Sequence, residues 1–147
     1  MARAQCIVHR KKKLIMVKHR QYGKEWWCLP GGAIEEGETP AEAAIRELKE
    51  ECNVNSIIVR EIGVVVYSPE DSAHTFLVDI GTQEPEIGTD PDYQHQVLVD
   101  MKWLTLSEIP ERDRAFLWAA GLLGIEEFFA EVSGWGNSIS YPQPGTH

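Results

Sequence analysis

The stretch GGAIEEGETPAEAAIRELKEECNV, residues 31–54, decides how this chain is read. It opens on a glycine pair, crosses a polar loop and enters a run with helical spacing. Its helix-start signals are dense. Thr39 suits an N-cap, Pro40 the first helical position, and Glu42, three residues after Thr39, completes a capping box. The pattern predicts a helix over residues 40–52. Asn53 follows, at the place where a left-handed backbone commonly ends a helix, and Asn tolerates that conformation better than most residues.

With about 3.6 residues per turn, Glu47, Glu50 and Glu51 share one helical face. Ala41, Ala44, Ile45, Leu48 and Cys52 form the expected packing face. Like charges at i,i+4 cost only a few tenths of a kcal/mol, so an ordinary solvated face would explain the helix taken alone. The preceding loop, LPGGAIEEGET, changes the balance, because glycine permits a tight path that presents peptide groups to an ion or phosphate. Carboxylates at this spacing beside such a loop make an all-oxygen cluster. Mg²⁺ and Mn²⁺ prefer that ligand set, keep part of their water shell and bridge to substrate phosphates. Metal held there would polarise a phosphorus–oxygen bond and activate a water, with a carboxylate accepting the proton.

The rest of the chain is consistent with one globular unit. Its 147 residues suffice for a single core, and a hydrophobic content of 43% argues against disorder. No apolar run approaches a membrane span. A formal charge of −9 disfavours general attraction to nucleic acid or anionic lipid, while a small anion could still bind where metal ions neutralise the site. Cys6, Cys28 and Cys52 are odd in number and lack CxxC spacing, which suits reduced thiols and a cytoplasmic location. The N-terminal residues show no secretion signal.

AQCIVHR and KLIMVKHR read as a hairpin around the basic turn RKKK, and EWWCLPGG as a third extended piece. SIIVREIGVVVYS, HTFLVDIG and QVLVDMKWLTL read as strands, with the acidic loop EPEIGTDPDYQ before the last. A second helix is expected over residues 113–132. The Gly/Ser/Pro-rich remainder, 133–147, reads as a tail to a domain spanning 1–132. Strands on both sides of an early helix, closed by a late one, indicate an α+β or mixed α/β sandwich.

Gly32, Glu38, Arg46, Glu47, Glu50 and Glu51, with the aliphatic positions between and after them, resemble the Nudix box, GX5EX7REUXEEXGU, of the Nudix hydrolases. At these fixed positions a chance match is on the order of one in ten million. One position departs, since Asn53 stands where the family has glycine. WWCLPGG before the box and DMKWLTLSEI after it extend the likeness.

The resemblance implies an α/β/α sandwich around a mixed sheet and Mg²⁺-dependent hydrolysis of a nucleoside diphosphate linked to another group. Carried over, Glu50 and Glu51 are metal ligands, Glu47 is a further ligand or the general base, and the Gly32 carbonyl completes the coordination. Arg46 and Glu38 pair to hold the loop against the helix. Family members often add a carboxylate from outside the box, for which Glu84, Glu86, Asp90, Asp92 and Asp100 are the candidates here.

Pro69, 15 residues past the box, resembles the ADP-ribose-hydrolysing branch, although a proline between two strands is also simply a turn. Lys18 and Arg20 are candidate phosphate contacts or ordinary strand-end charges. Trp26, Trp27, Tyr67 and Phe76 offer a stacking surface or core packing. His19, His74 and His95 lack zinc-ligand spacing. The expected function is a pyrophosphohydrolase of an ADP-ribose-like nucleotide. The alternatives are a nucleoside triphosphate pyrophosphohydrolase acting also on oxidised nucleotides, and a non-catalytic nucleotide sensor. Trp135 and Tyr141 in the tail are expected either to pack on their own domain or to cover the second subunit of a homodimer.

Overall fold

The computed structural model describes residues 1–88 and 96–135. Its strands are β1 (Ala2–Ile7), β2 (His9–Arg10), β3 (Lys13–Gln21), β4 (Lys24–Cys28), β5 (Gly31–Ala33), β6 (Ile57–Ser68), β7 (Asp71–Asp79) and β8 (Gln96–Thr105). Its helices are α1 (Pro40–Cys52), α2 (Glu111–Ala120) and α3 (Glu126–Ser133). The strands form two four-stranded sheets. One has the order β5-β1-β7-β6 and is mixed, because β1 runs parallel to β7. The other is β2-β3-β4, with β8 also paired to β3.

Alternation along the strands divides the core in two, as the two-residue period of a strand requires. Ala4, Cys6, Val8, Ile15 and Val17 point toward α1 and pack with Ala43, Ala44, Leu48 and Cys52. Ile7, Leu14 and Met16 point the other way, toward Leu117, Leu122, Phe128 and Val132 of the α2–α3 side. The result is the expected sandwich, with helices on both sides of the sheets.

The RKKK turn is a hairpin between β2 and β3, and Lys11 and Lys12 take positive φ angles of 52° and 64°. Two left-handed central residues are what a type I′ turn needs to match strand twist. The first run is split at Val8, so that β1 and β2 join different sheets. EWWCLPGG is split likewise, with β4 in one sheet and β5 in the other.

The single helix expected over 113–132 is two helices. Gly121 ends α2 in a left-handed conformation (φ 98°), and a Cβ there would lie 2.7 Å from Ile62 Cγ2. A 3-10 turn, Leu122–Gly124, then leads into α3. The apolar spacing survives the break because Leu117 and Ala120 of one helix and Phe128 and Val132 of the other enter the same core cluster. Of the tail, Trp135 is buried edge-on against Trp118 with ring centroids 6.5 Å apart, so it packs on its own domain. Tyr141 lies outside the described residues.

Candidate active site

Helix α1 has the predicted bounds and caps. Thr39 Oγ1 accepts the Glu42 N–H, Glu42 accepts the Thr39 N–H, and Asn53 takes the left-handed cap at φ 55°. The packing face differs from expectation in two respects. Ile45 is exposed and Ala43 is buried. More consequentially, Glu47 and Glu51 are completely buried, whereas Glu50 keeps 29% of its side chain exposed.

Burying carboxylates is costly unless partners replace water. Glu51 Oε1 accepts the Gly31 N–H at 2.7 Å. Arg46 Nη1 donates to Glu47 Oε1 at 2.9 Å and lies 3.3 Å from Glu50 Oε1. Arg46 also bonds Glu38 at 2.8 and 3.0 Å and the Ala33 carbonyl at 2.9 Å, tying the glycine loop to the helix. Hydrogen bonding to Arg46 holds the Glu38 carboxyl below its usual range, and Glu38 in turn pushes the Arg46 pKa further up. Gly32 makes the closeness of loop and helix achievable, since a Cβ there would lie 2.6 Å from Glu47 Cδ.

The surroundings report the same concentration of charge. The Cys6 thiol is pushed up by burial first, then by Cys52, Glu51 and Glu47. Cys52 is pushed up by burial and Glu51. Both therefore stay neutral and act as small packing groups beside the carboxylates.

Among the described carboxylates outside the box, Glu86 is joined to the end of α1 through its backbone. Its N–H donates to the Cys52 carbonyl at 2.9 Å, and the Gly88 N–H donates to the Glu51 carbonyl at 2.8 Å, so this loop closes on the end of α1. Glu84 is paired with Arg10 at 2.8 Å, and Asp100 accepts from its own neighbour Met101. Asp90 and Asp92, like His95, lie outside the described residues.

Between the two sheets and α2 opens a cleft of about 770 Å³, walled by Tyr22, Trp26, Trp27, Tyr67 and Phe116, with Arg3, Lys24 and Arg112 among its cations. Its size falls within the range of ligand pockets, about 300–1,000 Å³. Asp113 accepts the Trp27 N–H at 3.0 Å and so fastens β4 to α2. Phe76 belongs to the core on the α1 side. Lys18 and Arg20 are engaged with Glu25, at 3.6 and 2.7 Å, and Lys18 also lies over the Trp27 ring. Pro69 sits in the exposed β6–β7 turn, and neither it nor those two cations line the cleft.

Sequence spacing weighed His19 only as a zinc ligand and passed over Tyr22, Arg112 and Phe116, because Tyr22 lies in the turn after β3 and the others come from a helix far along the chain. His74 pairs with Glu61 at 3.5 Å.

Among the described residues no three His, Cys, Asp or Glu side chains converge into a closed metal centre. The donor chemistry nevertheless fits a hard divalent cation. Glu38, Glu47 and Glu50 share the guanidinium of Arg46, and Glu51 adds a carboxylate bonded to the Gly31 N–H, which leaves an excess of hard oxygen donors and negative charge. Mg²⁺ needs only one or two carboxylates, since it retains water and takes substrate phosphates as ligands.

The family model described as NUDIX domain matches residues 1–123. A Bacillus subtilis protein named "Putative 8-oxo-dGTP diphosphatase" is 29% identical over 106 residues, 71% of this chain and 65% of that protein. "NAD-capped RNA hydrolase NudC" of Vibrio vulnificus is 27% identical over 104 residues, 70% of this chain and 38% of its own length. The chain thus spans less than two thirds of either relative. The crystal structure of a MutT NUDIX hydrolase from Burkholderia pseudomallei superposes with a TM-score of 0.64 at 21% identity, covering 80% of this chain and 95% of that one. At that identity the likeness speaks for the fold. With the family model covering 1–123 and every charged position of the box occupied, this chain belongs to the Nudix hydrolase family.

Proposed function

We propose that the protein is a Mg²⁺-dependent pyrophosphohydrolase that cleaves a nucleoside diphosphate linked to another group, ADP-ribose-like nucleotides being the first class to test. The observation that carries this reading is the burial of Glu47 and Glu51 beside a glycine loop, with Glu50 open to solvent between them. Helices seldom bury two carboxylates for stability, because apolar residues of similar volume do as well or better. Their retention is explained by a cation that they serve.

In this assignment Glu50 and Glu51 hold the metal, the Gly32 carbonyl adds a backbone oxygen, and Glu47 is a further ligand or the base. Bound there, Mg²⁺ supplies Lewis-acid polarisation of the phosphate and a more acidic water. The chain's own part is orientation. The Gly31 N–H fixes one Glu51 oxygen, and Arg46 with Glu38 holds the loop and the Glu47 carboxylate in register. A carboxylate of the box takes the proton of the attacking water, and the aromatic walls of the cleft receive the base. An odd number of cysteines without CxxC spacing accords with a cytoplasmic setting.

A second substrate class, nucleoside triphosphates including oxidised ones, is favoured by the similarity to the Bacillus subtilis relative and its printed name. Pro69, the feature pointing to ADP-ribose, contributes no wall to the cleft. Product analysis with Mg²⁺ separates the classes. ADP-ribose yields AMP and ribose 5-phosphate, whereas a triphosphate yields a monophosphate and pyrophosphate. Tight nucleotide binding without cleavage across a broad panel would instead establish a sensor and overturn the enzymatic reading.

A further inference from the structure

We propose that His19 is a positioning residue for Glu51, a role that rests on the reading of Glu51 as a metal ligand. His19 is on the side of β3 that faces α1, where its neighbours in that row, Ile15 and Val17, are fully buried and apolar. The imidazole is only 2% exposed, so a polar ring occupies what the strand pattern reserves for hydrocarbon. Its Nε2 lies 3.4 Å from Glu51 Oε2, while Glu51 Oε1 accepts the Gly31 N–H at 2.7 Å. The carboxylate thus meets the glycine loop at one oxygen through a hydrogen bond, and β3 at the other through the close approach of the imidazole.

Two features fix the ring itself. It stacks on Trp26, with centroids 6.0 Å apart and planes 25° from parallel, and Trp26 is a wall of the aromatic cleft. The β3–β8 register also shifts between Lys18, opposite Asp100, and His19, opposite Leu98. An extra residue in one strand bends the ladder and re-aims neighbouring side chains, a device common beside active sites. A histidine needed only for volume would require neither an oxygen of Glu51 within reach nor this local break in register. Residues that orient a metal ligand typically cost about 10–100-fold in metal affinity when removed.

The test is equilibrium binding of Mn²⁺ alone, followed by electron paramagnetic resonance of the free ion, in the full chain without nucleotide. The proteins compared are wild type, His19→Phe, His19→Gln and Glu51→Gln, with melting temperature as the check on folding. Phe keeps the stack on Trp26 and removes the nitrogen that approaches Glu51. Gln restores a nitrogen at similar reach.

The proposal expects Glu51→Gln and His19→Phe each to weaken Mn²⁺ by about 10-fold or more, and His19→Gln to recover most of that loss. Wild-type Mn²⁺ affinity in His19→Phe, beside a weakened Glu51→Gln, overturns the positioning role and leaves the metal reading intact. Equal weakening by Phe and Gln also overturns it, since packing alone would then explain the effect. Should Phe fail to fold, a folded His19→Gln that binds Mn²⁺ more than 10-fold below wild type overturns it by itself. Unchanged binding in Glu51→Gln removes the metal reading and this proposal together.

Discussion

Helix α1 and the α2–α3 pair cover opposite faces of the same strands and bury different chemistry. On the α2–α3 side Leu117, Leu122, Phe128, Val132 and Trp135 form an apolar cluster, and the two buried charges beside it, Asp113 and Arg114, accept the Trp27 N–H and donate to the Leu106 carbonyl. On the α1 side, Ala43, Ala44, Leu48 and Cys52 share the interface with fully buried Glu47 and Glu51. The first side uses its apolar contact area for stability and directs its two buried charges to backbone bonds that fasten α2. The second gives up part of that area to hold charge in a low-dielectric setting, where carboxylates bind a cation more strongly than they would in water. Helix caps differ in the same sense. α1 has a complete capping box and a left-handed Asn cap, whereas α2 starts at Pro110 and α3 at Ile125 without a side-chain cap. A helix that carries strain in its packing has the firmer local specification.

Substitutions on the two sides should therefore separate activity from stability. The largest effect is expected from Glu50→Gln with Glu51→Gln, which should lower turnover by about 10³-fold or more while the circular dichroism spectrum stays native. Activity within a few-fold of wild type would end the assignment of these carboxylates. Phe128→Ala, on the apolar side, should cost about 3–5 kcal/mol in urea unfolding, with Mn²⁺ affinity unchanged in the folded protein.

A pair of glycines sharpens the contrast. Gly32→Ala would press on Glu47, and Gly121→Ala would press on Ile62 at a positive φ, so each should cost about 1–3 kcal/mol. Only Gly32→Ala should also weaken Mn²⁺, and equal metal affinities would show that the loop tolerates displacement.

The Glu38–Arg46 pair gives a pH signature on the α1 side. Arg46 holds the folded Glu38 carboxyl below its ordinary value, so the associated stability is complete above about pH 4.3 and is lost as pH falls through the depressed folded value. The stability gap between wild type and Glu38→Gln should be present at neutral pH and shrink in acid. A gap that stays constant into acid would mean that the pair contributes nothing through charge. The smallest change is expected from Asn53→Gly. It relieves a left-handed Asn at φ 55° at the cost of unfolded-state entropy, and should shift stability by only a few tenths of a kcal/mol.

Much of α1 was readable from neighbouring residues alone. Thr39, Pro40, Glu42 and Asn53 act within one or two turns, so the bounds and both caps of this helix follow from sequence. Gly121 shows where local reading ends. The apolar spacing of 113–132 persists through it, yet the close approach of Ile62 from a distant strand makes the chain break there. Trp135 is similar, since its composition reads as tail while Trp118 and Arg114 make it core.

For the site, the sequence by itself determined the carboxylates, their spacing and the loop that precedes them, because helix geometry converts i, i+3 and i+4 into neighbours without reference to the rest of the chain. Only the tertiary structure decided that Glu47 and Glu51 are buried, that the Gly31 N–H bonds Glu51 and His19 lies 3.4 Å from it, and that Trp26, Trp27, Tyr67 and Phe116 wall one cleft. Those facts depend on residues brought together across dozens of positions. Burial and cross-strand contact come from how the layers stack, which no local pattern encodes.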